Sequence, residues 1–303
     1  MIPVAFHSEH DDPVAWERAL RAHLPELDFR LDGPPDGVVA ALAWKPPPGY
    51  FAGFRDLRLV VNLGAGVDAL MARDDLPPLP ICRLNDPGMV QLMCSYVTYA
   101  VTHYARDFHL FQRKREWRYI HPRALATHRV SVLGLGELGG AAAAALASMG
   151  YTVSGWARTP KSIADVRCLH GEAGFAAALA EADTLVLLLP LTPQTRGLIG
   201  AAELARLPRG ANLINVARGA LLDEAALLAA LRAGHVAEAT LDVFQTSPLP
   251  AAHPFWAMEN VRITPHLASI TIPEAAAADV AESIRRVLRG EAPLHQVDPA
   301  RGY

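Results

Sequence analysis

Three polar residues in the C-terminal half could bind or protonate a small acid, and each follows an apolar segment of strand length. Arg218 follows Asn212 to Val216, Asp242 follows Leu241, and His266 follows Thr264-Pro265. A guanidinium forms two parallel hydrogen bonds to a carboxylate, and an imidazole exchanges protons near neutral pH. In open α/β sheets, ligands bind where the carboxyl ends of the strands meet. The three residues therefore predict one site for a substrate that carries a carboxylate or keto-acid group.

A glycine-rich turn predicts a dinucleotide site in the same half. The segment 134–139 reads G-L-G-E-L-G, follows the apolar strand around Val132, and opens an Ala-rich helix. The first glycine permits the tight turn, the second lets the backbone approach a pyrophosphate, and the third lets helix and strand pack closely. The helix start supplies N–H donors. The predicted cofactor contacts here are Gly134, Gly136, Glu137, Leu138 and Gly139.

The end of the next strand decides between the two nicotinamide cofactors. NAD enzymes usually place an acidic residue there for the ribose 2′-OH. Here the stretch contains Arg158, Thr159 and Lys161 and no acid. Because the Arg158 and Lys161 side chains are cations that attract a 2′-phosphate, we expect NADPH, with NADH as the alternative. Plain surface charges are the other interpretation.

Alternation of strand-length and helix-length segments predicts an α/β chain with two parallel sheets. Apolar runs without polar alternation suit strands that are covered on both faces. One unit is expected from the N-terminus to residue 98 and another from 99 to 269. A single long helix is predicted from Met89 to about Phe111.

Composition excludes several classes of protein. The net charge is -3, so no basic surface for nucleic acid is expected, and the run Arg113 to Arg115 suits a solvated helix face or a subunit contact. Three scattered cysteines do not suit disulfides or zinc, and we expect no metal. Apolar runs fall short of the roughly 20 residues that span a bilayer. The N-terminus lacks the basic start of a signal peptide, so a cytoplasmic protein is expected.

The ordered motifs resemble the D-isomer-specific 2-hydroxyacid dehydrogenase family, and within it the glyoxylate/hydroxypyruvate reductase A group. The resemblance covers nearly the whole chain. It is carried by residues 63–68, the glycine turn, Leu189-Pro190 with Thr195, 215–219, 241–244, 264–266, and Gln296 to Asp298 with Arg301 to Tyr303. The resemblance implies a Rossmann-like cofactor domain and a flavodoxin-like substrate domain, both doubly wound. It also implies that residues 270–303 return to the substrate domain.

The resemblance further implies roles for the predicted site residues. His266 would protonate the substrate carbonyl as hydride arrives, Arg218 would hold the carboxylate, and Asp242 would orient the nicotinamide carboxamide. Backbone amides of one loop would bind the same carboxylate as a small anion nest. The implied substrate contacts are Trp44, Ala65, Gly66, Val67 and Arg218, and the further cofactor contacts are Leu189, Pro190, Thr195 and Ala217. Packing is an equally open role for Trp44.

Other functions stay open at this point. A broader reductase of larger apolar keto acids would differ in cleft size, with Trp44, Phe255 and Trp256 as candidate determinants. A non-catalytic dinucleotide sensor could use the same scaffold, and formate oxidation fits the cofactor site poorly. A small 2-keto acid is the expected substrate. The resemblance implies a homodimer, with the segment from Arg115 to Trp117 as a candidate arm.

One position departs from the family pattern. The family pairs its catalytic histidine with a glutamate, and Ser247 stands at that position here. A carboxylate beside an imidazole favours the charged form, whereas a serine supplies no charge. His266 is therefore expected to titrate near the reference value of about 6.5, with Glu259 or a water molecule as alternative partners.

Overall fold

A computed structural model describes residues 1–31, 35–113 and 117–302, with residues 112 and 113 described by their backbone alone. The strands are β1 (Ile2–Ser8), β2 (Leu27–Arg30), β3 (Ala40–Trp44), β4 (Leu59–Asn62), β5 (Ile81–Arg83), β6 (Arg129–Leu133), β7 (Thr152–Ala157), β8 (Val166–His170), β9 (Thr184–Leu187), β10 (Ala211–Asn215), β11 (Val236–Leu241) and β12 (Val261–Ile263). The helices are α1 (Pro13–His23), α2 (Asp68–Met71), α3 (Pro87–Ala105), α4 (Phe108–Arg113), α5 (Glu137–Ser148), α6 (Gly171–Ala180), α7 (Ala201–Arg206), α8 (Glu224–Arg232) and α9 (Pro273–Leu288).

The first compact unit comprises Met1–Met89 and the chain from Ile270 onward. Its five strands are parallel in the order β2-β1-β3-β4-β5, the flavodoxin-like arrangement. Helix α9 belongs to this unit, where Arg18 on α1 binds Glu274 at 2.9 Å. The end of the chain also joins the unit, because the Val297 N–H donates to the Ile81 carbonyl at 2.9 Å.

The second unit, Val90–Ser269, contains a seven-stranded parallel sheet in the order β12-β11-β10-β9-β6-β7-β8. The order reverses between β9 and β7 around the first strand, β6, as in dinucleotide-binding sheets. Its central strands are mainly apolar and buried, as for Leu185, Val186 and Leu213, because helices cover both faces. The prediction of two doubly wound α/β sheets is confirmed.

Two predictions about the chain between the sheets were wrong. The expected single helix is divided into α3 and α4, because Asp107 adopts a left-handed conformation (φ 56°) that a helix cannot continue through. The unit boundary lies between residues 89 and 90 instead of at 98, because Met93 and Val97 of α3 pack in the core of the second unit. Among the described residues, no helix is both long and apolar enough to cross a membrane.

Candidate functional site

Arg218, Asp242 and His266 follow three strands that are neighbours in the second sheet. Residue 218 comes after β10, residue 242 after β11 and residue 266 after β12. All strands in this sheet are parallel, so the three residues lie at one edge. Strand β6, which leads into the glycine turn, ends at the same edge.

Asp242 holds the turn that carries His266. The carboxylate is buried, its Oδ1 accepts the Leu267 N–H at 2.9 Å, and its Oδ2 accepts the Ala268 N–H at 2.9 Å. The backbone carbonyl of Asp242 accepts the His266 N–H at 2.9 Å. His266 itself is exposed and has a left-handed backbone (φ 58°), which is strained for a residue with a side chain. The hydrogen bonds to Asp242 therefore fix the imidazole-bearing residue in an unusual conformation.

Two hydroxyl groups complete the support of Asp242. Thr264 Oγ1 donates to Asp242 Oδ1 at 2.6 Å, and Tyr96 Oη lies 2.5 Å from Thr264 Oγ1. Because an ionised carboxylate only accepts, the threonine proton points to Asp242, and the tyrosine donates to the threonine. Burial raises the pKa of Tyr96 to about 12, so the phenol keeps the proton that it donates. In the series Tyr96–Thr264–Asp242, both hydrogen bonds are therefore donated towards the Asp242 carboxylate.

The loop that carries Arg218 is fixed by its neighbours. Asn215 is fully buried, its Nδ2 donates to the Arg218 carbonyl at 3.0 Å, and its Oδ1 accepts the Ala217 N–H at 3.2 Å. A Cβ on Gly219 would lie 1.9 Å from the carbonyl carbon of Phe244, so only glycine fits. The Arg218 guanidinium is half-buried and donates to the Ala217 carbonyl at 2.8 Å. A guanidinium has five N–H donors in a fixed fork, a geometry that suits an anionic partner.

The glycine turn has the geometry that its sequence predicts. Gly134 has a positive φ of 107°, and a Cβ on Gly139 would lie 1.9 Å from the Gly134 carbonyl oxygen. A Cβ on Gly136 would meet nothing within 4 Å. Gly136 and Glu137 are exposed at the start of α5, while Leu138 is half-buried. Two glycines thus serve internal packing, and the middle one leaves open space beside the helix N-terminus.

The other predicted cofactor contacts follow neighbouring strands. Arg158, Thr159 and Lys161 come directly after β7 and are exposed. The loop after β9 contains the half-buried Pro190 and is held by Thr195, whose hydroxyl donates to the Pro190 carbonyl at 2.7 Å and accepts the Thr192 N–H at 2.8 Å. Leu189 and Ala217 are buried. The residues present fit a dinucleotide that carries an additional phosphate.

The predicted substrate contacts of the first unit lie on a loop after β4. Asn62 is buried, and its Nδ2 donates to the Gly64 carbonyl at 2.8 Å. Arg83 Nη1 donates to the Ala65 carbonyl at 3.3 Å, and the loop then turns through the half-exposed Gly66 and the buried Val67. A Cβ on Gly64 would lie 2.6 Å from Cζ3 of Trp44. Trp44 therefore packs against this loop, and packing is one of the two roles that the sequence left open for it.

Some sequence-based suggestions fall elsewhere. Phe255 is fully buried in the apolar cluster of the second unit, so its side chain cannot set cleft size. Trp256 is half-exposed, and its Nε1 donates to the Pro250 carbonyl at 3.1 Å. Ser247 is exposed in the loop after β11. Of the candidate arm, residues 115 and 116 lie outside the described residues, and Trp117 is fully exposed. Tyr303 of the closing motif also lies outside the described residues.

Sequence reasoning missed Tyr96, Thr264 and Asn215 as supporting residues. Asn215 carries a signal, because an amide that ends an apolar strand needs a buried partner. Thr264 directly precedes Pro265-His266, but nothing in its neighbourhood indicates a bond to Asp242. Tyr96 is far away in sequence, on α3, and only the fold brings it to β12.

Comparison with known proteins agrees with this geometry. The family model of the D-isomer specific 2-hydroxyacid dehydrogenase NAD binding domain matches residues 96–268. A glyoxylate/hydroxypyruvate reductase A from Serratia proteamaculans is 40% identical, with 99% of each chain covered. The crystal structure of a D-isomer specific 2-hydroxyacid dehydrogenase from Xanthobacter autotrophicus Py2, in complex with NADPH and MES, shares 54% identity with a TM-score of 0.96 and covers 99% of each chain.

A third similar protein is the NADPH-dependent glyoxylate/hydroxypyruvate reductase from Sinorhizobium meliloti. Its structure in complex with NADP and sulfate is 34% identical, with a TM-score of 0.93 and all of both chains covered. The match to each of these three proteins extends over both units. The chain belongs to the D-isomer specific 2-hydroxyacid dehydrogenase family and, within it, resembles the glyoxylate/hydroxypyruvate reductase A group.

Proposed function

We propose that the chain is an NADPH-dependent reductase of small 2-keto acids, with glyoxylate and hydroxypyruvate as substrates. The observation that carries the proposal is the shared sheet edge after β10, β11 and β12, where Arg218, Asp242 and His266 lie. The glycine turn after β6 lies at the same edge. The names of the relatives from Serratia proteamaculans and Sinorhizobium meliloti support the same substrates.

The residues divide the chemistry between them. Bound NADPH supplies the hydride that reduces the keto carbon. His266 donates a proton to the carbonyl oxygen as negative charge develops there. Arg218 binds the substrate carboxylate through two donors, a geometry that a lysine could not reproduce. The backbone amides of Ala65, Gly66 and Val67 are the proposed further carboxylate donors, with Trp44 beside them.

Asp242 has a positioning role in this proposal in addition to the expected contact with the nicotinamide carboxamide. Its carboxylate accepts three hydrogen bonds from Thr264, Leu267 and Ala268. An ionised carboxylate has about four acceptor sites, so one remains for a carboxamide N–H. Its removal would release the strained turn at His266 and lower kcat even with cofactor bound.

The preference for NADPH rests on the strand end after β7. Arg158 and Lys161 are exposed there and offer positive charge to a 2′-phosphate. NADH lacks this phosphate and would lose those charge-assisted hydrogen bonds. The structures of the two relatives in complex with NADPH or NADP support the assignment.

The direct test is NADPH oxidation with a panel of keto acids. We expect turnover of glyoxylate and hydroxypyruvate, lower activity with phenylpyruvate, and a higher kcat/KM with NADPH than with NADH. Tight NADPH binding without turnover of any keto acid would identify a dinucleotide sensor instead. Preferred reduction of phenylpyruvate would indicate the broader reductase.

Ser247 leads to a pH-dependence prediction. Reduction requires the protonated imidazole, and Ser247 adds no negative charge that would hold the proton, so the rate should decline as pH rises above about 6.5. Ser247→Glu should raise the pKa of His266 and move the decline to higher pH, by about one unit. Ser247→Gln, which has similar size and no charge, is the control. A wild-type rate that stays flat to pH 8 or above would contradict this assignment.

The proposed enzyme is a homodimer in the cytoplasm. The resemblance implies the dimer, with the segment from Arg115 to Trp117 as its candidate arm. Light scattering of the purified chain would measure the oligomeric state.

A further inference from the structure

Three residues with side chains that can bind a metal lie close together within the second unit, away from the edge that carries Arg218, Asp242 and His266. His103 near the end of α3, His109 on α4 and Glu238 on β11 each offer one ligand atom, and these atoms lie within 4.8 Å of one another. His103 and Glu238 are buried, and the His109 side chain is 13% exposed. We propose that these three residues bind one Zn²⁺ ion. The proposal is independent of the proposed reductase activity.

The residue types select the metal. Two imidazoles and one carboxylate match the three-protein-ligand zinc sites that keep a fourth position for water. Imidazole nitrogen suits zinc and its transition-metal neighbours, whereas calcium and magnesium require oxygen ligands. No cysteine takes part, so a search of the sequence for cysteine spacing could not have found the cluster.

The distances are close to those that zinc requires. Zn–N and Zn–O bonds of about 2.0–2.2 Å in a tetrahedron place ligand atoms about 3.4 Å apart. His109 Nε2 lies 3.8 Å from Glu238 Oε1, and the ring centres of His103 and His109 are 5.9 Å apart. Closing the group around an ion requires side-chain rotations that bring these atoms closer than the 4.8 Å within which they now lie. The left-handed Asp107 produces this proximity, because it returns α4 towards the end of α3.

The surroundings orient the carboxylate. Arg262 Nη1 donates to Glu238 Oε2 at 2.9 Å, and the guanidinium lies over the Tyr104 ring at 5.7 Å. Tyr104 is itself fixed by a 2.5 Å hydrogen bond to Thr240. Outer partners of this kind hold metal ligands in position. Because the guanidinium also adds positive charge, we expect weaker binding than at zinc sites made of thiolates.

His109 turns its Nε2 towards Glu238. The 3.8 Å between this nitrogen and Glu238 Oε1 is longer than a hydrogen bond, so the two groups are close without being bonded to each other. Because a neutral imidazole binds a metal through one nitrogen, Nε2 is the ligand atom that His109 offers, and an ion would bridge this gap.

The cluster meets an open cavity at one of its three ligands, His109. His109, Tyr104 and Asp107 line an open cavity of about 250 Å³, with Arg123 and His128 on its walls. A predicted metal site requires such an entry path besides ligands and outer partners. The cavity also allows a control, because His128 lines it without belonging to the cluster.

The test is metal binding by the full chain after removal of metal with a chelator. Co²⁺ titration, followed by visible ligand-field absorption, and competition with Zn²⁺ should show one site per chain. His109→Asn and Glu238→Gln should each weaken Zn²⁺ binding by more than the roughly 10–100-fold typical of losing an outer partner. His128→Gln should leave the affinity unchanged.

Folding of each variant is checked separately, by circular dichroism and thermal melting in chelator. Glu238→Gln keeps the size of the side chain and a hydrogen-bond acceptor for Arg262, so it should fold. Absence of a stoichiometric site in the wild type would overturn the proposal. Equal binding by wild type, His109→Asn and Glu238→Gln would overturn it as well, because the ion would then be held by other histidines.

Discussion

Each of the two units has a glycine loop after a parallel strand, and the two loops differ in what their glycines make room for. In the second unit, Gly134 and Gly139 bring backbone against backbone, and Gly136 faces open space. In the first unit, the space at Gly64 is filled by the indole of Trp44. One loop is therefore shaped to admit a ligand to the backbone, and the other is packed by the protein itself.

The helices that follow show the same difference. Helix α5 contains 12 residues and presents a full N-terminus behind the glycine turn. Helix α2 contains only four, and its loop is held by the Asn62 and Arg83 side chains. The second unit is suited to a pyrophosphate, whereas the first offers a few amides that suit one small carboxylate. The proposed division of roles between cofactor and substrate rests on this contrast.

The largest effect is expected for Gly139→Ala. Its Cβ would lie 1.9 Å from the Gly134 carbonyl oxygen, which is backbone and cannot rotate away. Separation of α5 from the turn should cost about 3 kcal/mol, measured as a lower melting temperature together with loss of NADPH binding. A variant with wild-type stability would show that the close packing of this turn is not required.

Gly136→Ala should separate ligand binding from folding. Its Cβ meets nothing within 4 Å, and φ of -76° is accessible to alanine, so the melting temperature should not change. The methyl group would occupy space needed by the pyrophosphate, and NADPH affinity should fall at least tenfold, about 1.4 kcal/mol. Isothermal titration would measure this, and unchanged affinity would contradict the assigned role of the middle glycine.

Gly64→Ala should have a smaller effect than Gly139→Ala and act on the other unit. Its Cβ would lie 2.6 Å from Trp44 Cζ3, so the indole must shift, at a cost of about 1–2 kcal/mol. We expect a higher KM for the keto acid and unchanged NADPH affinity. Adding Trp44→Phe should recover part of the lost stability, because phenylalanine has no atom at that position. A change in NADPH affinity would contradict the separate roles assigned to the two loops.

The local sequence predicted the features that depend on where strands end and on how glycines are spaced. The glycine turn, the order of Arg218, Asp242 and His266, and both parallel sheets follow from short motifs and apolar runs. Contacts between distant segments could not be predicted. Tyr96 supports Asp242 only because the fold brings α3 beside Thr264, which follows β12. The break between α3 and α4 depends on the left-handed backbone of Asp107, which the neighbouring residue types do not predict. The burial of Phe255 likewise depends on tertiary packing.

The role of His266 tests the account most directly, through kcat for glyoxylate reduction by His266→Gln. Loss of the proton donor should lower kcat about 10²–10⁴-fold while NADPH affinity stays unchanged. His235→Gln is the matched control, because His235 precedes the opposite end of β11, where its Nε2 donates to the Leu204 carbonyl at 2.9 Å. That variant should keep wild-type turnover. A His266→Gln enzyme with near-wild-type kcat would contradict the assignment of the reaction to this sheet edge.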